Sequence, residues 1–224
     1  IDIGIFGGMS NPFFCALREN GKIICWGSYL AGDIDFAAKK IEQFSIDSFS
    51  TMCALLDTGV IECWGNNENE AATPPPGVYQ YVRGRCALAL DQTITCWGGT
   101  PGNDSFIPPS GTFSQVKRPC ALRTNGTVVC WGSNVWWAND APSGTFTTLD
   151  ANYYGACAIS NDQTLKCWGN NDYGQADEPT GQYKAVSVGT NENCAIGLDN
   201  TIKCWGSYGD TTHPSGEFSQ VSVG

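Results

Sequence analysis

Short apolar phrases bounded by polar turns recur along the chain. In each, Cys-Ala-Leu or a close variant is followed by a turn and then by Cys-Trp-Gly, as in Cys120-Ala-Leu-Arg123 and Val128-Val-Cys130-Trp-Gly132 on either side of Thr124-Asn125-Gly126. Two brief runs rich in apolar and β-branched side chains, split by a turn, predict a β-hairpin rather than a helix. The other turns centre on Asn20-Gly21, Thr58-Gly59, Asp91-Gln92, Asp162-Gln163 and Asp199-Asn200. They suit a three-residue loop whose last member is left-handed, a conformation that Gly adopts freely, Asn tolerates and Gln fits less well. Between hairpins, Pro-Ser-Gly-Thr-Phe113, Pro-Ser-Gly-Thr-Phe146, Pro-Thr-Gly-Gln-Tyr183 and Pro-Ser-Gly-Glu-Phe218 mark a turn feeding a further strand of Phe-Ser-Gln-Val type.

The unit occurs six times, with first cysteines at Cys15, Cys53, Cys86, Cys120, Cys157 and Cys194 and second cysteines at Cys25, Cys63, Cys96, Cys130, Cys167 and Cys204. Every pair is ten residues apart, and successive first cysteines are separated by 38, 33, 34, 37 and 37 residues, a period that fits one small antiparallel sheet per repeat. Residues 1–224 are thus expected to form one all-β domain of six repeats. Such units either stack into a linear solenoid or close into a ring of blades. The ends favour the ring, giving a six-bladed β-propeller: Phe218-Ser-Gln-Val-Ser-Val-Gly224 is a first strand without a hairpin, placed to complete the blade of Cys15 and Cys25 and remove two exposed edges. In the competing reading Ile1-Asp-Ile-Gly4 supplies that strand, and Phe218 onward begins a further blade.

Counting outward from the three-residue loop sets the two cysteines of a unit opposite one another, with both side chains on one face. Zinc sites gather cysteines as close pairs two to four residues apart, whereas a whole hairpin separates these, so the spacing favours six cross-strand disulfides over three four-thiolate sites and implies an oxidising compartment. No apolar run approaches the roughly 20 residues that span a bilayer. Residues Ile1 to Gly8 lack an initiator Met and a basic segment with an apolar core, as in a mature, processed chain or an excerpt.

The segment from Cys157 to Gln175, Cys-Ala-Ile-Ser-Asn-Asp-Gln-Thr-Leu-Lys-Cys-Trp-Gly-Asn-Asn-Asp-Tyr-Gly-Gln, resembles the β-propeller repeat of the regulator of chromosome condensation type. With its paired cysteines it resembles the branch found in ectodomains of Crinkly-type plant receptor kinases and in bacterial surface or secreted proteins. The resemblance covers all six units, although Gly-Gln is kept only at Gly174-Gln175. It implies a propeller with one repeat per blade and usually seven blades, so the six repeats are alternatively part of a seven-bladed propeller. The namesake's nucleotide exchange does not carry over, because no matching functional motif is present. A secreted propeller that inhibits beta-lactamases shares the broad repeat, which makes an inhibitor of a secreted enzyme one alternative function.

Lys plus Arg number 12 against 22 Asp plus Glu, and a net charge of −10 argues against a nucleic-acid partner, which needs a basic face. The tryptophans that follow the second cysteines, Trp26, Trp64, Trp97, Trp131, Trp168 and Trp205, are expected to fill the space between sheets rather than to act as sugar-stacking platforms. Trp136 and Trp137 fall outside the repeat. With Tyr153 and Tyr154, and with Tyr29, Tyr173 and Tyr208 just beyond Trp-Gly pairs, they are candidates for an aromatic rim that binds a protein or a glycan; alternatively each packs beneath its own loop. Catalysis is not expected. The one histidine, His213, sits beside a proline, and the acidic pairs Asp177-Glu178 and Asp33 with Asp35 read as solvated loop residues rather than acid-base or calcium groups. No cofactor or metal is implied. Asn103-Asp-Ser105 and Asn125-Gly-Thr127 are N-glycosylation sequons if the chain passes through a eukaryotic secretory pathway. The expected function is therefore an extracellular or surface-displayed scaffold that binds a protein or builds an assembly, self-assembly included, with a glycan-binding lectin as the other alternative.

Overall fold

The computed structural model describes residues 3–6, 13–17, 23–27, 32–34, 39–46, 51–65, 67–99, 107–117, 119–132, 140–206 and 214–223, with backbone only before residue 35 and at Ile46. By compactness the chain divides into two units, Ile1–Ser110 and Gly111–Gly224.

In the first unit, β1 (Ile3–Phe6), β2 (Phe13–Leu17), β3 (Ile23–Gly27) and β4 (Gly32–Ile34) form a four-stranded sheet, followed by β5 (Ile41–Ile46), β6 (Thr51–Leu56) and β7 (Ile61–Gly65), then β8 (Tyr79–Arg83), β9 (Cys86–Ala89) and β10 (Ile94–Cys96). In the second, β11 (Phe113–Lys117), β12 (Cys120–Arg123) and β13 (Val128–Cys130) precede β14 (Phe146–Ala151), β15 (Gly155–Ser160) and β16 (Leu165–Gly169), and β17 (Tyr183–Val188), β18 (Glu192–Gly197) and β19 (Ile202–Gly206). Each sheet is an antiparallel meander around one cysteine pair, as the repeat predicts. The place of a first strand beside Cys15 is filled by β1, with Ile3 opposite Ala16 and Gly4 opposite Cys15. The expectation that Phe218 onward completes that blade is thereby corrected: the competing reading of the N-terminal residues holds.

The first strands do not alternate simply. Register shifts fall between Ile41 and Gln43, Tyr79 and Tyr81, Phe113 and Gln115, Phe146 and Thr148, and Tyr183 and Ala185. A bulge adds one residue, so side chains three apart share a face; Phe113 and Val116 are both wholly buried while Ser114 between them is exposed. The bulge also aims Gln115 sideways, where its Oε1 accepts from Leu149 N at 3.0 Å and its Nε2 donates to Thr147 O at 3.2 Å. Gln43 Oε1 likewise accepts from Val82 N at 3.2 Å.

The middle strands from β6 onward are buried on both faces. On β15, Ala156 and Ala158 join Cys120, Leu122, Phe146, Leu149 and Trp168 in one core, while Cys157 and Ile159 join Tyr183, Val186, Ala195 and Trp205 in the next. Cys53 and Leu55 meet Tyr79, Val82, Ala87 and Trp97 in the same way. A small Ala on one sheet thus faces the bridged cysteine of the sheet before it. Five bridges, Cys53–Cys63, Cys86–Cys96, Cys120–Cys130, Cys157–Cys167 and Cys194–Cys204, hold Cα atoms 4.0 to 4.1 Å apart, the spacing of a directly opposed, non-hydrogen-bonded pair. Cys15 and Cys25 are opposed in the same register, and their side chains lie outside the described residues.

Candidate interaction surface

Where their loops are described, the repeats present two kinds of loop, at opposite ends of the strands. At the hairpin end the third loop residue is left-handed, with φ of 78° at Gly59, 69° at Gln92, 85° at Gly126, 69° at Gln163 and 68° at Asn200. Glutamine therefore does occupy the strained position twice. What holds it is local: an Asp or Asn one residue earlier accepts from the N–H and the hydroxyl of a Thr one residue later, as at Asp91 with Thr93 (3.0 and 2.7 Å), Asn125 with Thr127 (3.0 and 2.8 Å) and Asp199 with Thr201 (3.0 and 2.7 Å). Asp162 accepts from Thr164 and also from Ser160 Oγ. Hydrogen bonds from the Ser160 and Thr164 side chains hold the Asp162 carboxyl below the usual range, and those from Thr93 and Thr201 do the same for Asp91 and Asp199. Asn125 is exposed here, at the tip of its hairpin.

At the other end, the turn after β14 and the loop after β16 are one assembly. Asn152 Oδ1 accepts from Tyr154 N (2.8 Å) and Gly155 N (3.0 Å), and Asn170 N donates to Tyr154 O at 2.7 Å. Gly169, with φ of 111°, must be Gly because a Cβ there would stand 2.5 Å from Gly155 Cα. Gln175 is buried and folds the loop around itself: Oε1 accepts from Tyr173 N (2.9 Å) and Nε2 donates to Asn170 Oδ1 (2.7 Å). Its carbonyl accepts from Asn193 Nδ2 (2.7 Å) and Trp205 Nε1 (3.0 Å), tying the loop to the next sheet. The outcome is a set of hydrogen-bonded turns that display Tyr153, Tyr154 and Tyr173, which are 45%, 39% and 36% exposed. In the first unit the equivalent loop is built alike, with Asn67 Oδ1 accepting from Ala72 N (2.8 Å) and Ala71 O accepting from Trp97 Nε1 (3.0 Å), but Asn69, flanked by Glu68 and Glu70, stands where Tyr173 stands in the second.

The repeat tryptophans are core residues where they are described: Trp97, Trp131, Trp168 and Trp205 are buried and Trp64 is half-buried. They offer no sugar platform. The burial of Tyr79 and Tyr183 raises their phenol pKa, with the charge of Asp199 adding to the effect at Tyr183. The acidic pair Asp177-Glu178 is engaged internally, Asp177 Oδ1 accepting from Asn171 Nδ2 at 2.9 Å and Glu178 meeting Lys166 Nζ and Cys167 N at 3.5 and 3.4 Å. No group of three or more His, Cys, Asp or Glu among the described residues is arranged to hold a metal. Trp136, Trp137, Tyr29, Tyr208, His213, Asp35 and Asn103, and the side chains of Trp26 and Asp33, lie outside the described residues. Sequence reasoning missed the bulge that aims Gln43 and Gln115. It marked Gln175 only as part of a pattern, and the positioning role of Gln175 was signalled by the Asn-Asn-x-x-Gly-Gln spacing.

Fold and surface together define an all-β repeat protein in which five of the small sheets, those whose cysteine side chains are described, are each stapled by a cross-strand disulfide and sheets within a unit are stacked through Trp and Ala columns. Residues 146–175 match the regulator of chromosome condensation (RCC1) repeat. Comparison with curated protein sequences gives no match. Among solved structures, the chain is similar to the Crinkly WD40 ectodomain of the Arabidopsis thaliana receptor kinase ACR4, at 22% identity and TM-score 0.75 over 99% of this chain and 88% of that one. It is similar also to the ectodomain of the Physcomitrella patens receptor kinase CR4, at 24% identity and TM-score 0.70 over 91% of this chain and 61% of that one. Yeast RCC1 (Prp20), solved with Kap60 bound, aligns at 14% identity and TM-score 0.51 over 93% of this chain and 56% of that one. The repeats are therefore RCC1-like β-propeller repeats carrying a disulfide each where described. Among the described residues no helix is long and apolar enough to cross a membrane, an observation that does not bear on strands.

Proposed function

We propose that residues 1–224 act as a single extracellular propeller domain, a non-catalytic platform that binds a protein through the turn end of its repeats. The observation that carries this reading is the display of Tyr153, Tyr154 and Tyr173 on turns held by side-chain to backbone hydrogen bonds. Rigid, half-exposed tyrosines supply contact area at small entropic cost. Trp136, Trp137 and Tyr208, which follow Trp-Gly pairs in the sequence as Tyr173 does and lie outside the described residues, are the further candidates for this surface. The bridges support an extracellular home, and the ectodomain relatives fit it. A glycan on Asn125 would leave the surface clear: Gly126 bonds the start of β14, and Tyr153 follows its far end, about 20 Å away at strand rise.

The test is capture of extracellular proteins by cross-linking, followed by affinity measurement with the purified partner. Replacing Tyr153 and Tyr154 by Ser is expected to weaken binding by about tenfold or more, while Leu198→Ser at the hairpin end leaves it unchanged. Equal binding by both variants would sink the proposal. Loss of binding on enzymatic deglycosylation of the partner would turn it into the lectin reading.

A further inference from the structure

Four hairpin tips share one design, in which a side-chain oxygen of Asp91, Asn125, Asp162 or Asp199 accepts from the backbone N–H and the hydroxyl of the Thr two residues on. Among these four, Asn125 alone offers an amide in place of a carboxylate, and it alone is followed by Gly. Asn125 is exposed, and Gly126 has no side chain to screen its own nitrogen.

The two bonds bring an electrophile to a nucleophile. Because Asn125 Oδ1 reaches past Gly126 to Thr127 N (3.0 Å) and Thr127 Oγ1 (2.8 Å), the side-chain amide carbon is carried over the intervening peptide, whose nitrogen is the atom that can close a five-membered ring on it. Both Thr127 groups donate to the oxygen on which negative charge gathers as that ring closes. The donors that order the tip thus also form an oxyanion site for attack on the amide. One contact opposes the attack: Gly126 N–H donates to Arg123 O at 2.9 Å, so its proton must first be taken by hydroxide.

We propose that Asn125 is a self-modifying site, at which the tip promotes deamidation of its own asparagine. Gly126 N, its proton lost to hydroxide, bonds to Asn125 Cγ; the Cγ–Nδ2 bond breaks, and ammonia leaves with a proton from water. Water then opens the resulting succinimide to Asp, or to the isomer in which the chain runs through the side chain, so that water goes in, ammonia comes out and nothing is oxidised or reduced. The Asp product keeps an acceptor for both Thr127 bonds, as Asp91, Asp162 and Asp199 do. It adds a negative charge at the hairpin end and ends the Asn-Gly-Thr sequon, so an N-glycan and this reaction compete for one nitrogen. The inference is independent of the tyrosine surface, and either can fail alone.

For the test, the chain is made in a host that adds no N-glycan, held in mildly alkaline buffer and followed by peptide mapping, in which conversion of Asn125 adds about 1 Da. Asn125 is expected to convert ahead of Asn161, Asn171 and Asn200, which precede Asp or Thr. Thr127→Val keeps the branched shape but loses the hydroxyl, and is expected to slow conversion by about fivefold or more, the worth of one hydrogen bond to developing charge. Thr127→Ser restores the hydroxyl and is expected to match the unmodified chain. Were Thr127 merely bracing the tip, Val would loosen it and speed the reaction. Conversion of the Val variant as fast as that of the unmodified chain or faster, a Ser variant as slow as Val, or an Asn125 that stays an amide, overturns the proposal.

Discussion

At four hairpin tips an Asp or Asn oxygen receives two bonds from a Thr, and the residue between them is forced into the left-handed region. For Gln92 and Gln163 that conformation carries steric strain, which the equivalent Gly59 and Gly126 escape. Gln163 contributes its backbone N–H to Ser160 O and its carbonyl to Tyr183 N, and both bonds survive loss of the side chain. Gln163→Gly is therefore expected to raise stability by up to about 1 kcal/mol, less the extra backbone entropy of Gly, read from urea unfolding. The carboxyls give the tips a pH response. Since Asp91, Asp162 and Asp199 have folded pKa values below their unfolded ones, their contribution is complete above the unfolded value of about 3.9 and is lost as pH falls through the lower folded values. Thermal midpoints should drop over that acid range. Asp162→Asn, which copies the neutral acceptor already present at Asn125, should flatten part of the drop.

In the hairpins of Cys53, Cys120 and Cys157 the bridge does two things at once, since it closes the loop and also forms part of the wall against the next sheet. Replacing Cys157 and Cys167 together by Ser removes a ten-residue crosslink, at a cost of about 2 to 3 kcal/mol in the chain-entropy account. It also places hydroxyls against Tyr183, Val186 and Trp205. The expected loss in urea unfolding therefore exceeds that of a crosslink alone. This element was plain in the sequence, because the cysteine spacing and the turn residues act locally. The first strand was less legible. Its bulge follows from how Phe113 and Val116 must share one core, and the cross-sheet reach of Gln115 follows from that bulge; both are set by a neighbour far along the chain.

For the molecule as a whole, periodicity announced the repeats, the buried role of the tryptophans and the all-β class. It did not decide which terminal segment stands beside Cys15, because Ile3–Phe6 and Phe218 onward are both short and apolar and pairing alone separates them. Charge was legible as a total and silent on detail: Asp150, nearly buried, meets Lys117 Nζ at 3.5 Å and Val188 N at 2.8 Å, joining neighbouring first strands through a contact that no local pattern signals. The tyrosine surface was visible as residue types, while its ordering depends on Asn152, Asn170 and Gln175 acting across a loop pair.

The burial of the bridges is lopsided, and that gives thiol exchange a direction. In all five, the first cysteine is enclosed and the second is partly open. An incoming thiolate reaches the second sulfur, so the departing thiolate would be born at the buried first one, which for Cys53, Cys120 and Cys157 lies inside the wall between sheets. Burial raises the pKa of that leaving group, and poor leaving groups slow exchange. A hairpin is thus easy to oxidise while its neighbour has yet to dock, and hard to reduce afterwards: each added sheet locks the bond behind it.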